Sequence, residues 1–411
     1  MVDQKVVAFV EPSFYGVDFV ERTHRKGCKV IAIGSSLDNP KKYNYETFYD
    51  DFLIADIRDP QSIYQAIKQS PYYGKLDALI PATDYASHYT AEVAEWLSLP
   101  TIPSFAAHNA RNKDLARKAY SDNHVPSAQY AKVANYEEAC QAASQIGYPV
   151  VVKPTNCASS QGVFFINKEE EFLTAFQKLR AFKKTYMGFD VSTDYLVEEY
   201  LEGPEFSVEL FLKDKEVVFS SVTEKITSDL PYFVEISHTA PTSSQEDKVD
   251  EMINVSVQAM LAIGIDNGPS HVEIRLTDTG PKIIEVNGRP GGDNIASQLL
   301  FNTYGLDIFE ETVNFYLNLP IKDDFPVQKA TSIAFLTSRQ NGQISSIEGI
   351  EIIKNDDSVI KFDISVNPGD TVKIPESSDD RLGYVITSGE DAKEAKRKAM
   401  DLINSIQLVY Q

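Results

Sequence analysis

Over the first hundred residues, short apolar runs alternate with stretches of helical periodicity, and this rhythm restricts the fold more than any other feature of the chain. The apolar runs cover 6–10, 29–33, 51–55 and 78–81, and helical patterns end at Gly27, begin near Pro60, and run from about Asp84 through Trp96 to Leu97. Runs too short for helices, spaced by helix-length segments, predict parallel strands, because a parallel pair needs a crossover of about a dozen residues. The turn after the first run, Glu11-Pro12-Ser13-Phe14-Tyr15-Gly16, lacks the spaced glycines that let backbone approach a dinucleotide pyrophosphate. Residues 1–108 are therefore expected to be a parallel-sheet βαβ domain that holds no dinucleotide.

The pattern then changes. A helix between Asn109 and Asn123 stops before Pro126, and two more open on capping boxes, Asn135 with Glu138 and Asn167 with Glu170. Gly147 and Pro149 close the first of these. With strands at 150–153 and 162–166 they make a small α+β unit over 109–193. Three strands within 194–226, a helix near 247–263 and a hairpin turning at Thr277-Asp278-Thr279-Gly280 form a larger α+β unit over 194–325. Gly342, Gly349, Gly369 and Gly383 punctuate short strands before a helix at 391–403, so 326–411 is expected to be a separate β-rich cap. At 411 residues the chain exceeds one ordinary core, in keeping with an α/β and α+β multidomain protein.

A formal charge of −21 repels nucleic acid and anionic membrane surfaces, so neither is expected as a partner. Any polyanion site must be built from isolated cations, backbone N–H groups and metal ions, which makes the isolated basic residues the informative ones. There is no run of about 18 apolar residues and no signal-type stretch at the start, so a cytoplasmic location is the expectation. Cys28, Cys140 and Cys157 are few, odd in number and far apart, which argues against a disulfide framework or a zinc site. A homodimer is the default assembly by frequency alone.

The strongest chemical signal is the hairpin. In His271-Val272-Glu273-Ile274-Arg275-Leu276 polar residues hold the odd positions; in Lys282-Ile283-Ile284-Glu285-Val286-Asn287, Glu285 and Asn287 share one face, opposite Ile284 and Val286. A turn of odd length would set Glu273 beside Glu285. Two such carboxylates repel unless a cation lies between them, and an all-oxygen set suits Mg²⁺ shared with nucleotide phosphates; Asn287 adds a neutral oxygen. Arg289 follows in Asn287-Gly288-Arg289-Pro290-Gly291-Gly292, a fork of donors suited to a phosphoryl group in transfer, beside glycines that let backbone approach a ligand. The competing reading is a charged solvent face and an ordinary turn.

Two further stretches add to it. Tyr195-Leu196-Val197-Glu198-Glu199-Tyr200-Leu201-Glu202-Gly203-Pro204-Glu205 is an apolar strand with an acidic end, able to offer backbone to an adenine edge and a carboxylate to ribose, though acidic strand ends are usually solvated. Lys153 ends the apolar run Val150-Val151-Val152, where burial is costly unless an anion meets it, and Asn156-Cys157-Ala158-Ser159-Ser160-Gln161-Gly162 is a small-residue loop suited to covering phosphates. A lone strand-end lysine more often snorkels.

Taken in order, a helical lysine, Val-Lys-Pro, a small-residue loop, Val-Glu-Glu-Tyr-Leu, Gly-Pro-Glu, and then Glu with Glu-x-Asn-x-Arg-Pro-Gly-Gly, the set resembles the ATP-grasp superfamily over about 109–318. The resemblance implies ATP and Mg²⁺ as cofactors, with Mn²⁺ as a substitute. It implies Lys113 and Lys153 on the phosphates, a closing loop of Ser159, Ser160, Gln161 and Gly162, and an adenine pocket lined by Glu198, Glu199, Tyr200 and Leu201. Glu205 would meet the ribose, Glu273, Glu285 and Asn287 the metal, and Arg289 the acyl phosphate. One departure is the single glycine in the loop, where many relatives have two or more.

The N-terminal part looks like the domain that precedes the grasp, and the C-terminal part resembles the cap of the carboxylase-like branch. Phe233-Val234-Glu235-Ile236-Ser237-His238-Thr239-Ala240-Pro241 is similar to the Glu-x-x-His loop of bacterial L-amino-acid ligases of the bacilysin-synthetase kind. That likeness implies Glu235 and His238 at the amino-acid site, with His238 positioning substrate or assisting deprotonation of the amine; a loop histidine bonded to backbone is the alternative. Asp293 is expected to border the amine pocket with Gly291 and Gly292, favouring a cationic or hydroxylated second substrate, unless it is a solvated turn residue.

The activity implied is an ATP-dependent ligase that joins a small-molecule carboxylate, an L-amino acid, to an amine, a second amino acid, through an acyl phosphate, releasing ADP and phosphate. Two rivals share the nucleotide residues: an ATP-grasp carboxylase or another carboxylate–amine ligase of small-molecule metabolism, and a non-catalytic ATP-binding regulatory protein.

Overall fold

The computed structural model describes residues 4–185 and 187–411. Strands β1 (Val6–Val10), β2 (Lys29–Gly34), β3 (Asp51–Ile54) and β4 (Ala78–Pro81) pair in parallel in the order β3-β2-β1-β4. Both faces of this sheet are covered: Val7 and Phe9 pack with Phe19 and Phe309, whereas Ala8 and Val10 pack with Ile63 and Val93. Two-sided burial explains why these runs are continuously apolar rather than alternating. The chain order reverses between β1 and β4, and the loops that follow them, carrying Ser13, Tyr15, Thr83 and Asp84, open at that crevice.

The single helix expected between Asn109 and Asn123 is two, Ser104–Arg111 and Lys113–Asp122. Asn112 separates them in extended conformation (φ −115°, ψ 103°), which makes Lys113 the first residue of the second helix. Next, β5 (Tyr130–Val133), β6 (Val150–Pro154), β7 (Phe164–Ile166) and β8 (Tyr195–Glu199) form an antiparallel sheet in the order β5-β8-β6-β7. Helices Tyr136–Ile146 and Glu171–Ala181 cover one face through Ala139, Ala143, Phe172 and Phe176. The cap at Asn135 forms, its side chain accepting from the Glu138 amide at 2.9 Å. The one expected at Asn167 with Glu170 does not: the helix starts at Glu171, three residues later than that cap requires, and it is the Glu171 carboxylate that accepts from the Asn167 amide, at 2.8 Å.

The large antiparallel sheet contains β9 (Glu205–Lys213), β10 (Glu216–Thr227), β11 (Glu235–Ala240), β12 (Gly268–Thr277), β13 (Gly280–Asn287) and β14 (Ala330–Leu336). After β15 (Gly342–Glu348) come β16 (Val359–Ile364), β17 (Thr371–Val372), β18 (Gly383–Gly389) and β19 (Gln407–Tyr410). The order is β13-β12-β9-β10-β11-β14-β18-β16, so the C-terminal strands do not stand apart as a separate cap: they extend the same sheet, and β17-β15-β19 form a small sheet beside it. Helix Val249–Ile263 buries Met252, Val255, Ala259, Met260 and Ile263 against Phe206, Val208 and Leu210, spacings that keep to one helical face. Each large side chain so buried contributes about 1.5–3 kcal/mol. No described helix is long and apolar enough to cross a membrane.

The hairpin β12–β13 corrects one expectation in its cause. Its turn is even, with Thr277 opposite Gly280, and this register alone would oppose Glu273 to Ile284. A β-bulge shifts it, pairing Ile274 with Ile283 but Glu273 with Glu285. Ile284 is left on the polar side and Ile283, not Ile284, joins the core with Val286.

Candidate active site

A cleft of about 680 Å³ lies between the small sheet, the polar face of the large sheet and the loops after β1 and β4. Strand alternation builds its floor: β12 sends Val272 and Ile274 to the core and His271, Glu273 and Arg275 into the cleft. On β9, Phe206 and Val208 face the core, leaving Glu205 on the cleft side.

At one end the small sheet and the helix at 113–122 supply the charge. Lys113 donates to Glu285 at 3.0 Å and to the Cys157 carbonyl at 2.6 Å. Lys153 pairs with Glu198 at 2.6 Å. Arg117, one turn after Lys113, grips both oxygens of Glu198 at 2.7 and 3.2 Å and donates to the carbonyls of Ile283 and Ile284. It thus satisfies carbonyls at the bulge that sets Glu285 in place. Burial would raise the Glu198 carboxyl, but Arg117 and Lys153 pull its pKa down to about 2. The same burial pushes the Lys153 ammonium below its ordinary value, against the pull of Glu198.

On the floor, Glu273 lies opposite Glu285 with Asn287 further along β13. The buried ammonium of Lys225 sits 2.7 Å from Glu235, 3.0 Å from Glu205 and 3.2 Å from Glu273. Burial opposes charge on Lys225, yet these three carboxylates hold its pKa well above the ordinary lysine value. His271 bonds Glu209 at 2.6 Å, and against the pull of burial that partner raises its pKa to about 9. Gly291 backs this pair: a Cβ there would come within 2.7 Å of Glu209 and 3.0 Å of His271, which is why the turn needs glycine. Two carboxylates and an amide oxygen are hard donors, a set that fits a divalent cation such as Mg²⁺. Arg289 lies with its guanidinium 5.1 Å from the Tyr15 ring centre and 3.6 Å from Asp84, which is itself bonded to Arg111.

Residues 146–298 match the ATP-grasp domain family. The chain contains an ATP-grasp domain. Its residues 334–411 match the L-amino acid ligase C-terminal domain 2. The alanine–anticapsin ligase of Bacillus subtilis strain 168 is 25% identical over 386 residues, 81% of this chain and 81% of that protein. An uncharacterised protein of Sinorhizobium fredii is 25% identical over 394 residues, 95% of this chain and 80% of that one. In fold, the chain superposes on the crystal structure of an L-amino acid ligase from Bacillus licheniformis with a TM-score of 0.86, covering 100% of both chains at 21% identity. ATP-grasp enzymes use ATP with divalent metal ions.

The far end of the ATP-grasp cleft is made by the C-terminal part of the chain. Arg381 holds both oxygens of Asp293, at 2.6 and 2.7 Å, and lies 3.8 Å from the Phe335 ring centre. Burial opposes ionisation of Asp293, but Arg381 first and His238 second hold it well below the usual carboxylate range. An Asp293 already answered by an arginine does not present the free negative charge expected for selecting a cationic substrate.

Of the residues singled out from the sequence, Lys113, Lys153, Ser159, Ser160, Gln161, Glu198, Glu199, Tyr200, Leu201, Glu205, Glu235, Glu273, Glu285, Asn287, Arg289, Gly292 and Asp293 line the cleft. Gly162, Gly291 and His238 are not in its wall. His238 is fully buried on β11, behind Asp293, with Nε2 at 3.3 Å from the Asp293 carboxylate. It stands behind Asp293 rather than in the cleft wall, where it was expected. Sequence reasoning passed over Arg117, Lys225, Arg275, His271, Asp84 and Arg381. Arg117 had a signal, its four-residue spacing from Lys113 on one helix face; Arg381, from a distant polar loop, had none.

Proposed function

We propose that this protein is an ADP-forming ligase that joins the carboxylate of one L-amino acid to the amine of another. The observation that carries the reading is the pairing of Glu273 with Glu285 on the floor of a cleft that also holds Lys113, Lys153 and Arg289. The L-amino acid ligase domain at 334–411 supports amino acids as substrates. A carboxylate is a poor acyl donor because oxide is a poor leaving group. Attack of its oxygen on the ATP γ-phosphorus releases ADP and forms an acyl phosphate; the amine then adds to the acyl carbon, phosphate leaves, and the ammonium proton passes to solvent.

Glu273, Glu285 and Asn287 would hold Mg²⁺, which supplies charge neutralisation at phosphate oxygens. Lys113 and Lys153 bind phosphate oxygens, Arg289 steadies the charge on the group in transfer, and Glu205 meets the ribose beside the Glu199–Leu201 strand end. Glu235 and Asp293 orient the amino acids, with His238 supporting Asp293 from behind. No protein nucleophile takes part. The test incubates L-amino acids pairwise with ATP and Mg²⁺, scoring phosphate and new amide masses. ADP with a dipeptide is expected; AMP as product removes the scheme.

A further inference from the structure

Among the described residues, three consecutive pairs of non-glycine residues hold left-handed backbone: Asp214-Lys215, Ser159-Ser160 and Asp293-Asn294, with φ from 52° to 72°. The first is the two-residue turn of the β9–β10 hairpin, where strand twist calls for that conformation. The other two lie at opposite ends of the cleft and are not hairpin turns. Left-handed L-residues are strained, and they persist where surrounding contacts over-determine them.

One stretch of chain, 376–381, holds Asp293 of one strained pair and Gln161, the residue that follows the other. On the loop side, Gln161 donates to Asp379 at 2.6 Å, and Lys178 of the helix beneath reaches Glu376 at 3.2 Å. On the other side, Arg381 grips Asp293 through both its terminal nitrogens, while Ser378 bonds the Glu235 amide at 3.3 Å. The stretch is braced internally. A capping box joins Ser377 and Asp380, Asp380 also accepts from the Glu376 amide at 2.9 Å, and the Arg381 Nε donates to the Ser378 carbonyl at 2.8 Å. A displacement at Asp379 is therefore carried to Arg381 rather than absorbed between them.

We propose that Asp379 and Arg381 are positioning residues on one braced tract, which ties the seating of the Ser159-Ser160 loop over nucleotide to the ordering of the turn at Asp293, so that nucleotide completes the amino-acid end of the cleft. This rests on the nucleotide reading above and adds a direction to it. Site-to-site coupling of this kind is reciprocal: whatever nucleotide does for the Asp293 turn, an amino acid seated there does for nucleotide.

The test is hydrogen exchange on peptides covering 158–164 and 290–296, with and without the non-hydrolysable analogue AMP-PNP and Mg²⁺. In the wild type both peptides are expected to slow by about fivefold or more, the lower end of ordinary coupling. In Asp379→Ala, which removes an exposed side chain, 158–164 still slows on adding the analogue and 290–296 does not. Arg381→Lys, which keeps charge but loses the fork, shows the same split. A nucleotide response at 290–296 that survives in Asp379→Ala overturns the inference, even if exchange there is faster throughout, because that is the behaviour of a merely structural brace. So does a wild type in which only 158–164 responds. If neither wild-type peptide responds, the nucleotide reading falls as well.

Discussion

The two ends of the cleft are built in different ways. At the end lined by the lysines, Lys113, Arg117, Lys153, Glu198 and Glu285 all stand on regular helices and strands and form a buried network in which each carboxylate meets a cation at about hydrogen-bond distance. At the other end Asp293 and Arg381 lie in loops, with Glu235 at the start of β11, and they meet because the C-terminal strands continue the large sheet. The first is an electrostatic scaffold fixed by regular elements. The second is an assembly, and its chemistry is free to vary while the fold is kept.

The contrast is broken most easily at Glu198. Glu198→Ala leaves Lys153 and Arg117 as buried charges without their partner, and should cost about 3–5 kcal/mol of stability, read from urea midpoints. A loss under 1 kcal/mol would mean the network is solvated rather than structural. Arg289→Ala should lower kcat by about 10²–10³-fold while leaving nucleotide affinity little changed, as expected for a donor that acts on charge in transfer. An equal loss in nucleotide affinity would assign it to ground-state binding instead.

Acid sharpens the same point. The folded-state pKa of Glu198, about 2, lies below its ordinary value of 4.5, so its ion pairs contribute fully above pH 4.5 and are lost as pH falls toward 2. The wild type should lose roughly 2 kcal/mol between pH 4.5 and pH 3 that the Glu198→Gln variant does not lose. Identical acid limbs in the two proteins would contradict the depressed pKa. The smallest effect is expected at the assembled end: Asp293→Asn should leave the fold intact but free Arg381, moving second-substrate preference toward acidic amino acids by about tenfold in kcat/KM. Unchanged selectivity would place Asp293 outside the substrate's reach.

What could be read from the sequence follows the same division. Strand periodicity and the spacing of Lys153, Glu198, Glu273, Glu285 and Arg289 pointed to the lysine-lined end, because each lies in, or two residues after, a strand whose alternation is visible locally. The bulge at Ile284 was not visible: its carbonyl is satisfied by Arg117 from another element, and nothing in the β13 pattern distinguishes it from a regular strand. Arg381 was hidden for a stronger reason. It and its partner Asp293 both lie in loops, and a charged residue in a polar loop has no periodicity to betray burial. His238 pairs with Lys225 and so shares the cleft face of the sheet, but a motif gives the order of residues along β11 and not that Asp293 stands between this imidazole and the cleft.

The central claim is that a carboxylate is activated by phosphoryl transfer before the amine adds. The most direct test is to supply L-amino acids labelled with ¹⁸O in the carboxylate, with ATP and Mg²⁺, and to weigh the phosphate released as amide forms. One carboxylate oxygen should appear in each phosphate. Amide formed alongside unlabelled phosphate would contradict the account.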